Sequence, residues 1–272
     1  MKTIYQPTGK AAEYAKWACN FYNGCSIDCQ YCYCKRGVMS SNWSNPPKMK
    51  SKLKDENHAL EIFEKELKQN LSELQKHGLF FSFTTDPMLS ETVDLTVCAI
   101  GVCQRNLIPV KVLTKCTRYF TTPLEVPSIF VQIAIDNEWD KDLLAIGFTL
   151  TGHDELEPNA SPNAERIEAM KKLHNVGFKT WASIEPIIDF ESSSMMILNT
   201  AGFCDLYKIG LKSGKKHNKT EIGSFVELTL KISAIGTQPK IYFKDSLLKQ
   251  AGIERESLPE NCVGRDYNLF KN

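Results

Sequence analysis

The chain has 272 residues, is 42% hydrophobic and 24% charged, and carries a net charge of +1. That length supports one or two domains with a sizeable core. The near-neutral charge excludes a polycation that grips nucleic acid over its whole surface, and no apolar run reaches the length that spans a bilayer.

The first residues, Met1 to Pro7, lack the apolar stretch of an export signal, so a cytoplasmic location is expected. Ten cysteines in such a reducing compartment point to metal binding or catalysis rather than disulfides. Short apolar runs alternate with helical patterns, which predicts βα units and a mostly parallel sheet. Residues 17–22 are expected as the first strand, ending at Asn23-Gly24. After a polar stretch over 40–54, the spacing predicts one helix over 55–77. Its stripe is Leu60, Phe63, Leu67, Leu71 and Leu74, and Gly78 ends it.

Residues 79–84 read as the second strand, 89–106 as a helix and 110–114 as the third strand. Pro123 and Pro127 interrupt 116–137, where 129–135 fits a strand or a short helix. The fourth strand is 144–149. Ser161 as N-cap and Pro162 at the first helical position open a helix through His174. Strands at 178–184 and 205–209 follow, with a short helix near 192–199 between them. A long helix over 220–234, an extra strand at 239–243 and a helix at 245–250 complete the chain. The expected fold is α/β, a partial (β/α)6 barrel of the TIM type over residues 1–235. A short C-terminal extension, 236–272, packs on it. Function in such barrels lies in the loops after the strand C-termini.

The loop after the first strand reads Cys25-Ser26-Ile27-Asp28-Cys29-Gln30-Tyr31-Cys32-Tyr33. Three thiolates at this spacing hold three irons of a [4Fe–4S] cluster and leave the fourth open to a substrate or cofactor. The competing metal is zinc, with Cys29 and Cys32 as one knuckle and Cys25 and Cys34 as extra ligands. Zinc prefers four ligands, often from two knuckles, and no second knuckle follows downstream.

With Gly24 before it and Tyr31 just ahead of the third cysteine, this run resembles the signature of the radical SAM superfamily. Further segments are similar to its spore photoproduct lyase-like (DNA repair photolyase-like) group. They are Tyr14 to Cys25, Thr84-Thr85-Asp86-Pro87, Leu113-Thr114-Lys115, Glu157 to Arg166 and Glu185-Pro186-Ile187-Ile188. The resemblance spans roughly residues 4–215. It implies a barrel of the radical SAM kind and S-adenosylmethionine (SAM) as the second cofactor, bound at the open iron. Reductive cleavage to a 5′-deoxyadenosyl radical would then abstract hydrogen from a substrate. A low-potential electron donor of the flavodoxin or ferredoxin kind would feed the cluster.

The resemblance also suggests partners for SAM. Lys115 is the candidate for its carboxylate, Thr149 for its ribose, and Thr84 and Thr85 for its amino group; an ordinary solvated lysine is the plain reading of Lys115. Tyr33 packs near the cluster or simply in the core. Glu185 follows an apolar strand, so it faces the barrel mouth or a cation, because burying an unpaired carboxylate is costly. Arg166 would pair with it or with a substrate anion, and both residues also read as exposed surface.

Cys98 and Cys204 read as small buried hydrophobes, and Cys34 is expected close to the cluster. Photoproduct lyases close their radical cycle with a cysteine in the loop after the second strand. Here that loop reads Thr84-Thr85-Asp86-Pro87-Met88 and has none; Cys116 stands as a substitute. This departure separates SAM cleavage from spore photoproduct repair.

Two lysine runs follow strands: Lys48, Lys50, Lys52 and Lys54, and Lys212, Lys215, Lys216 and Lys219 with His217. They are candidate contacts for DNA or RNA, with Trp43 and Tyr207 to stack on an extruded base; solvated loops are the alternative. The expected activity is radical SAM chemistry on nucleic acid. The alternatives are the same chemistry on a peptide or small molecule, or a non-catalytic zinc module that binds nucleic acid.

Overall fold

The computed structural model describes residues 2–121 and 127–271, so the break expected at Pro123 lies outside the described residues. The chain divides into two compact units. One is Met1–Ala145 with Leu156–Ser161. The other is Ile146–Glu155 with Pro162–Asn272.

The first unit holds β1 (Ile4–Tyr5), β2 (Ala18–Cys19), β3 (Tyr22–Asn23), β4 (Lys48–Met49), α1 (Glu56–Gln69), α2 (Leu71–His77), β5 (Leu79–Phe81), α3 (Val93–Arg105), β6 (Val110–Thr114) and α4 (Ile129–Asp136). β2, β5 and β6 are parallel neighbours, and β1 runs antiparallel to β2. The strand expected over 17–22 is split, because β3 pairs antiparallel with β4 in a separate two-stranded sheet. Asn20 is the reason. Its Oδ1 accepts from the Phe83 N–H at 2.8 Å and its Nδ2 donates to the Tyr5 hydroxyl, so a side chain replaces the ladder there. The same bond takes Phe83 out of the ladder and ends β5 at Phe81, three residues earlier than expected.

The helix expected over 55–77 is two helices. The Asn70 side chain donates back to the Glu66 carbonyl at 2.8 Å and breaks the run between α1 and α2. Asp55 caps α1 by accepting from the His58 N–H at 2.8 Å, worth about 1 kcal/mol. The predicted stripe does face the core: Phe63, Leu67 and Leu74 are fully buried, with Phe63 between Phe21 and Phe81. Residues 129–135 resolve as helix, and Cys98 is exposed rather than buried.

The division between the units falls inside β7 (Leu144–Thr149). The second unit continues with α5 (Asn163–Asn175), β8 (Lys179–Ile187), α6 (Phe190–Thr200), β9 (Leu206–Leu211), α7 (Lys219–Ile235), β10 (Lys240–Phe243) and α8 (Asp245–Ala251). Ser161 does not cap α5. Its hydroxyl accepts from the Thr117 N–H, and Asp154 accepts from the Asn163 N–H at 2.7 Å instead. β8, β9 and β10 are parallel neighbours, so residues after 236 extend this unit's sheet. Alternation along β9 sends Tyr207 toward α6, where its hydroxyl meets Thr200 and the Ile197 carbonyl. Lys208 and Gly210 take the other face. Among the described residues no helix is long and apolar enough to cross a membrane.

Candidate active site

The cysteine loop belongs to the first unit and is built from turns. Gly24 opens it with φ of 93°, and its N–H donates to the Thr84 carbonyl. A Cβ there would lie 2.1 Å from the Ser44 carbonyl oxygen, so only glycine fits. The Cys25 N–H then donates to that Ser44 oxygen, and the Cys32 N–H to the Cys29 carbonyl. Residues 156–159 clamp the loop: Gln30 N–H donates to the Leu156 carbonyl, Asn159 N–H to the Ile27 carbonyl, and the Tyr31 hydroxyl to buried Glu157.

Cys25, Cys29 and Cys32 are all free thiols. They pack with Cys116 and Tyr31 against a small apolar cluster centred on Ile27 and Leu89. Lys115 supplies the positive charge. Its ammonium lies 5.7 Å from the centre of the Tyr31 ring, and its charge favours the thiolates, lowering the pKa of Cys25, Cys29 and Cys32 alike. Burial works the other way: it pushes the Cys25 thiol up to about 12, with nearby Asp86 adding to it, and raises Cys29. Cys32 is lowered because the Cys34 thiol donates to its sulfur, and Cys34 is raised by the same contact.

Three soft thiols on one loop, partly shielded from water and facing one shared cation, fit a [4Fe–4S] cluster, which takes its ligands at separate corners. Among the described residues no three His, Cys, Asp or Glu side chains converge as ligands of a single ion.

The structure brings Lys115 and Cys116 to this loop, and Cys34 lies buried beside Cys32 with its sulfur 3.5 Å from the Phe83 carbonyl oxygen. Tyr33 is 61% exposed, its hydroxyl donating to the same carbonyl. Thr84 spends its hydroxyl proton on the Tyr22 carbonyl, and Thr85 reaches the Asp86 carbonyl at 3.5 Å. Thr149, Arg166 and Glu185 belong to the second unit. There Arg166 is fully buried and donates to the Thr149 carbonyl at 2.8 Å, so it is a strut and not the exposed helix residue of the plain reading. Glu185 has its cation: Lys244, at 2.9 Å.

Sequence reasoning missed Asp86, Tyr31 and Glu157 as site builders. Asp86 is buried, accepts from the Thr114 hydroxyl and the Met88 N–H on one oxygen, and from the Lys115 N–H at 2.7 Å on the other. The available signal was an acidic residue directly after a strand end and before Pro87. The lysine runs are thinner than expected. Lys50 is buried over the Tyr5 ring, which leaves Lys48, Lys52 and Lys54 exposed; Lys215, Lys216 and Lys219 are exposed in the second run. Tyr207 is fully buried and cannot stack on a base.

No family model matches the sequence, and no curated protein does. Solved structures do. A cysteine-to-alanine mutant of spore photoproduct lyase matches with a TM-score of 0.62 at 12% identity, over 88% of this chain and 79% of that one. Spore photoproduct lyase with bound AdoMet and dinucleoside spore photoproduct gives 0.56 at 13% identity, over 86% and 64%. SuiB from Streptococcus suis, bound to S-adenosylmethionine, gives 0.52 at 13%, over 84% and 51%. The fold is that of the radical SAM partial barrels. This chain therefore spans less than two thirds of the AdoMet-bound lyase and about half of SuiB.

Proposed function

We propose that this chain is a radical SAM enzyme, holding one [4Fe–4S] cluster on Cys25, Cys29 and Cys32 and acting on nucleic acid. The observation that carries the reading is the gathering of these three thiols beside Lys115, within a fold that radical SAM enzymes share. When bound, such a cluster supplies the electron that splits the sulfonium of SAM and starts hydrogen abstraction from substrate.

The chain's own residues do the rest. Lys115 faces the SAM carboxylate as a point charge, with its backbone fixed by Asp86 and its side chain lying against Tyr31. Thr84 and Thr85 accept from the amino group through lone pairs their own hydrogen bonds leave open. Ile27 and Leu89 limit water at the thiols. Cys116 and Cys34 are the hydrogen-donor candidates, since both lie at the loop.

Nucleic acid is favoured by the exposed lysines of the two runs and by the dinucleoside photoproduct that the lyase of the same fold binds. The location is cytoplasmic, with a flavodoxin- or ferredoxin-like electron donor. The test is anaerobic loading with iron and sulfide, followed by SAM and dithionite. We expect a brown protein that bleaches on reduction and releases 5′-deoxyadenosine. A loaded cluster that yields none sinks the enzyme reading, and a colourless protein carrying zinc supports the binding-module alternative. Deuterium transfer into 5′-deoxyadenosine from labelled DNA or RNA would support the nucleic-acid substrate. Transfer only from a peptide or small molecule would move the assignment there.

A further inference from the structure

The second unit carries a charged group on the sheet face opposite α6. Glu185 of β8 and Lys244, directly after β10, lie toward the C-terminal ends of parallel strands, and Lys208 lies mid-strand in β9 between them. The register aligns Ser183, Lys208 and Tyr242, and alternation puts Glu185, Gly210 and Lys244 on the same face two residues on. Lys208 and Lys244 are each only 3% exposed. The Lys208 ammonium lies 5.1 Å from the centre of the Tyr242 ring, and Arg255, paired with Asp245, covers that ring at 4.9 Å.

The Glu185–Lys244 ion pair crosses β9 at Gly210. A Cβ on Gly210 would lie 2.7 Å from Lys244 Cδ and 2.9 Å from Glu185 Cδ, so the missing side chain is what admits the pair. Burying ions costs several kcal/mol each, and apolar residues of similar volume generally pack at least as stably. Two buried ammonium groups on one sheet face, with Lys244 at the strand C-termini where ligands of parallel α/β sheets bind, therefore need a reason other than stability. The side chains also differ in access. Lys244 is 3% exposed and Glu185 is 19% exposed, so the carboxylate has the easier path to solvent.

We propose that this face is a phosphate-binding site in which Lys208 and Lys244 hold the anion and Glu185 keeps its place on Lys244 until it arrives. A phosphate dianion matches two ammonium point charges better than a monoanionic carboxylate does. On binding, the phosphate oxygens replace the Glu185 carboxylate on Lys244, and Glu185 turns toward water. The site is independent of the cysteine loop and stands whether or not that loop holds a cluster.

The experiment is calorimetric titration of the full chain with inorganic phosphate in phosphate-free, low-salt buffer, with acetate as the monoanion control. We expect saturable phosphate binding and little acetate binding. Lys208→Met and Lys244→Met should each weaken phosphate by about tenfold or more, the loss of a charge-assisted hydrogen bond. Glu185→Gln should tighten it several-fold by removing the competing anion. The opposite signs separate a site from general damage. Absence of saturable binding, equal binding of acetate, or a Glu185→Gln protein that binds no tighter overturns the proposal. Should the lysine variants fail to fold by circular dichroism, the Glu185→Gln result decides alone.

Discussion

The cysteine loop of the first unit and the charged strand face of the second hold polar groups away from water by opposite means. In the loop, Cys25 to Cys34 are nearly contiguous, and turns and single backbone bonds, such as Cys32 N–H to the Cys29 carbonyl, set each thiol. On the strand face, Glu185 and Lys244 are 59 residues apart and meet because three strands share a register. A loop can therefore lose its chemistry and keep its fold, whereas the strand face ties its charges to the packing of a whole sheet.

The largest effect should come from the loop. Cys25→Ala, Cys29→Ala and Cys32→Ala are each expected to abolish iron retention and 5′-deoxyadenosine formation while the apoprotein keeps its melting temperature within a few degrees, since a thiol sulfur, buried at Cys29 and half-buried at the other two, contributes about 1 kcal/mol of packing. Iron assay and calorimetry on the same samples check both halves. A collapse in melting temperature would show that the loop is part of the core and break the contrast.

Asp86 tests where the loop's support becomes structural. Asp86→Ala removes the acceptor for the Thr114 hydroxyl and for two backbone N–H groups, leaving buried donors unsatisfied. The expected loss is about 2–4 kcal/mol in urea unfolding, with weaker SAM binding because Lys115 loses its backbone anchor. Asp86→Asn keeps an acceptor oxygen and should lose less. Equal stability of wild type and Asp86→Ala would remove Asp86 from the support.

The two regions also differ in how far the sequence discloses them. The three cysteines announced themselves by spacing, and β6 and β7 appear with the bounds their apolar runs predict. The order of strands and helices was legible for the same reason, since period and punctuation are local. The breaks at Asn20 and Asn70 were not, because each depends on a side-chain bond whose partner only the folded chain identifies. Glu185 was readable as needing a cation, but Lys244 as that cation depends on register across β9. Tyr207 misled for a related reason: an aromatic near a lysine run looks like a stacking platform until alternation along β9 turns it toward α6.

Gly210 probes the strand face with a smaller change. Gly210→Ala pushes a methyl into Lys244 Cδ and Glu185 Cδ, and the expected cost is about 1–3 kcal/mol. Combined with Glu185→Ala, which frees one of the two clashing side chains, the cost should shrink, and this non-additivity in urea unfolding is the measurement. Strict additivity would mean the pair does not lie over the glycine.

The smallest expected effect lies in the loop after β7, where a histidine between two carboxylates adds to the turns and backbone bonds that hold the segment. His153 touches Glu155 with one ring nitrogen and Asp189 with the other, and Asp189 also caps α6 through the Ser192 N–H. Burial pulls the His153 pKa down, but the Asp189 and Glu155 carboxylates outweigh it and hold it above its ordinary value. A base held up in the folded state stabilises in full below its unfolded value, near 6.5, and that stabilisation is lost as pH rises through the raised folded value. The stability difference between wild type and His153→Gln in urea should therefore be largest below about pH 6 and shrink as pH rises past neutrality. Both carboxylates are substantially exposed, at 67% for Glu155 and 42% for Asp189, so the difference should stay below about 1 kcal/mol and fall further in high salt. A difference that grows with pH would mean His153 acts there as a neutral hydrogen-bond partner.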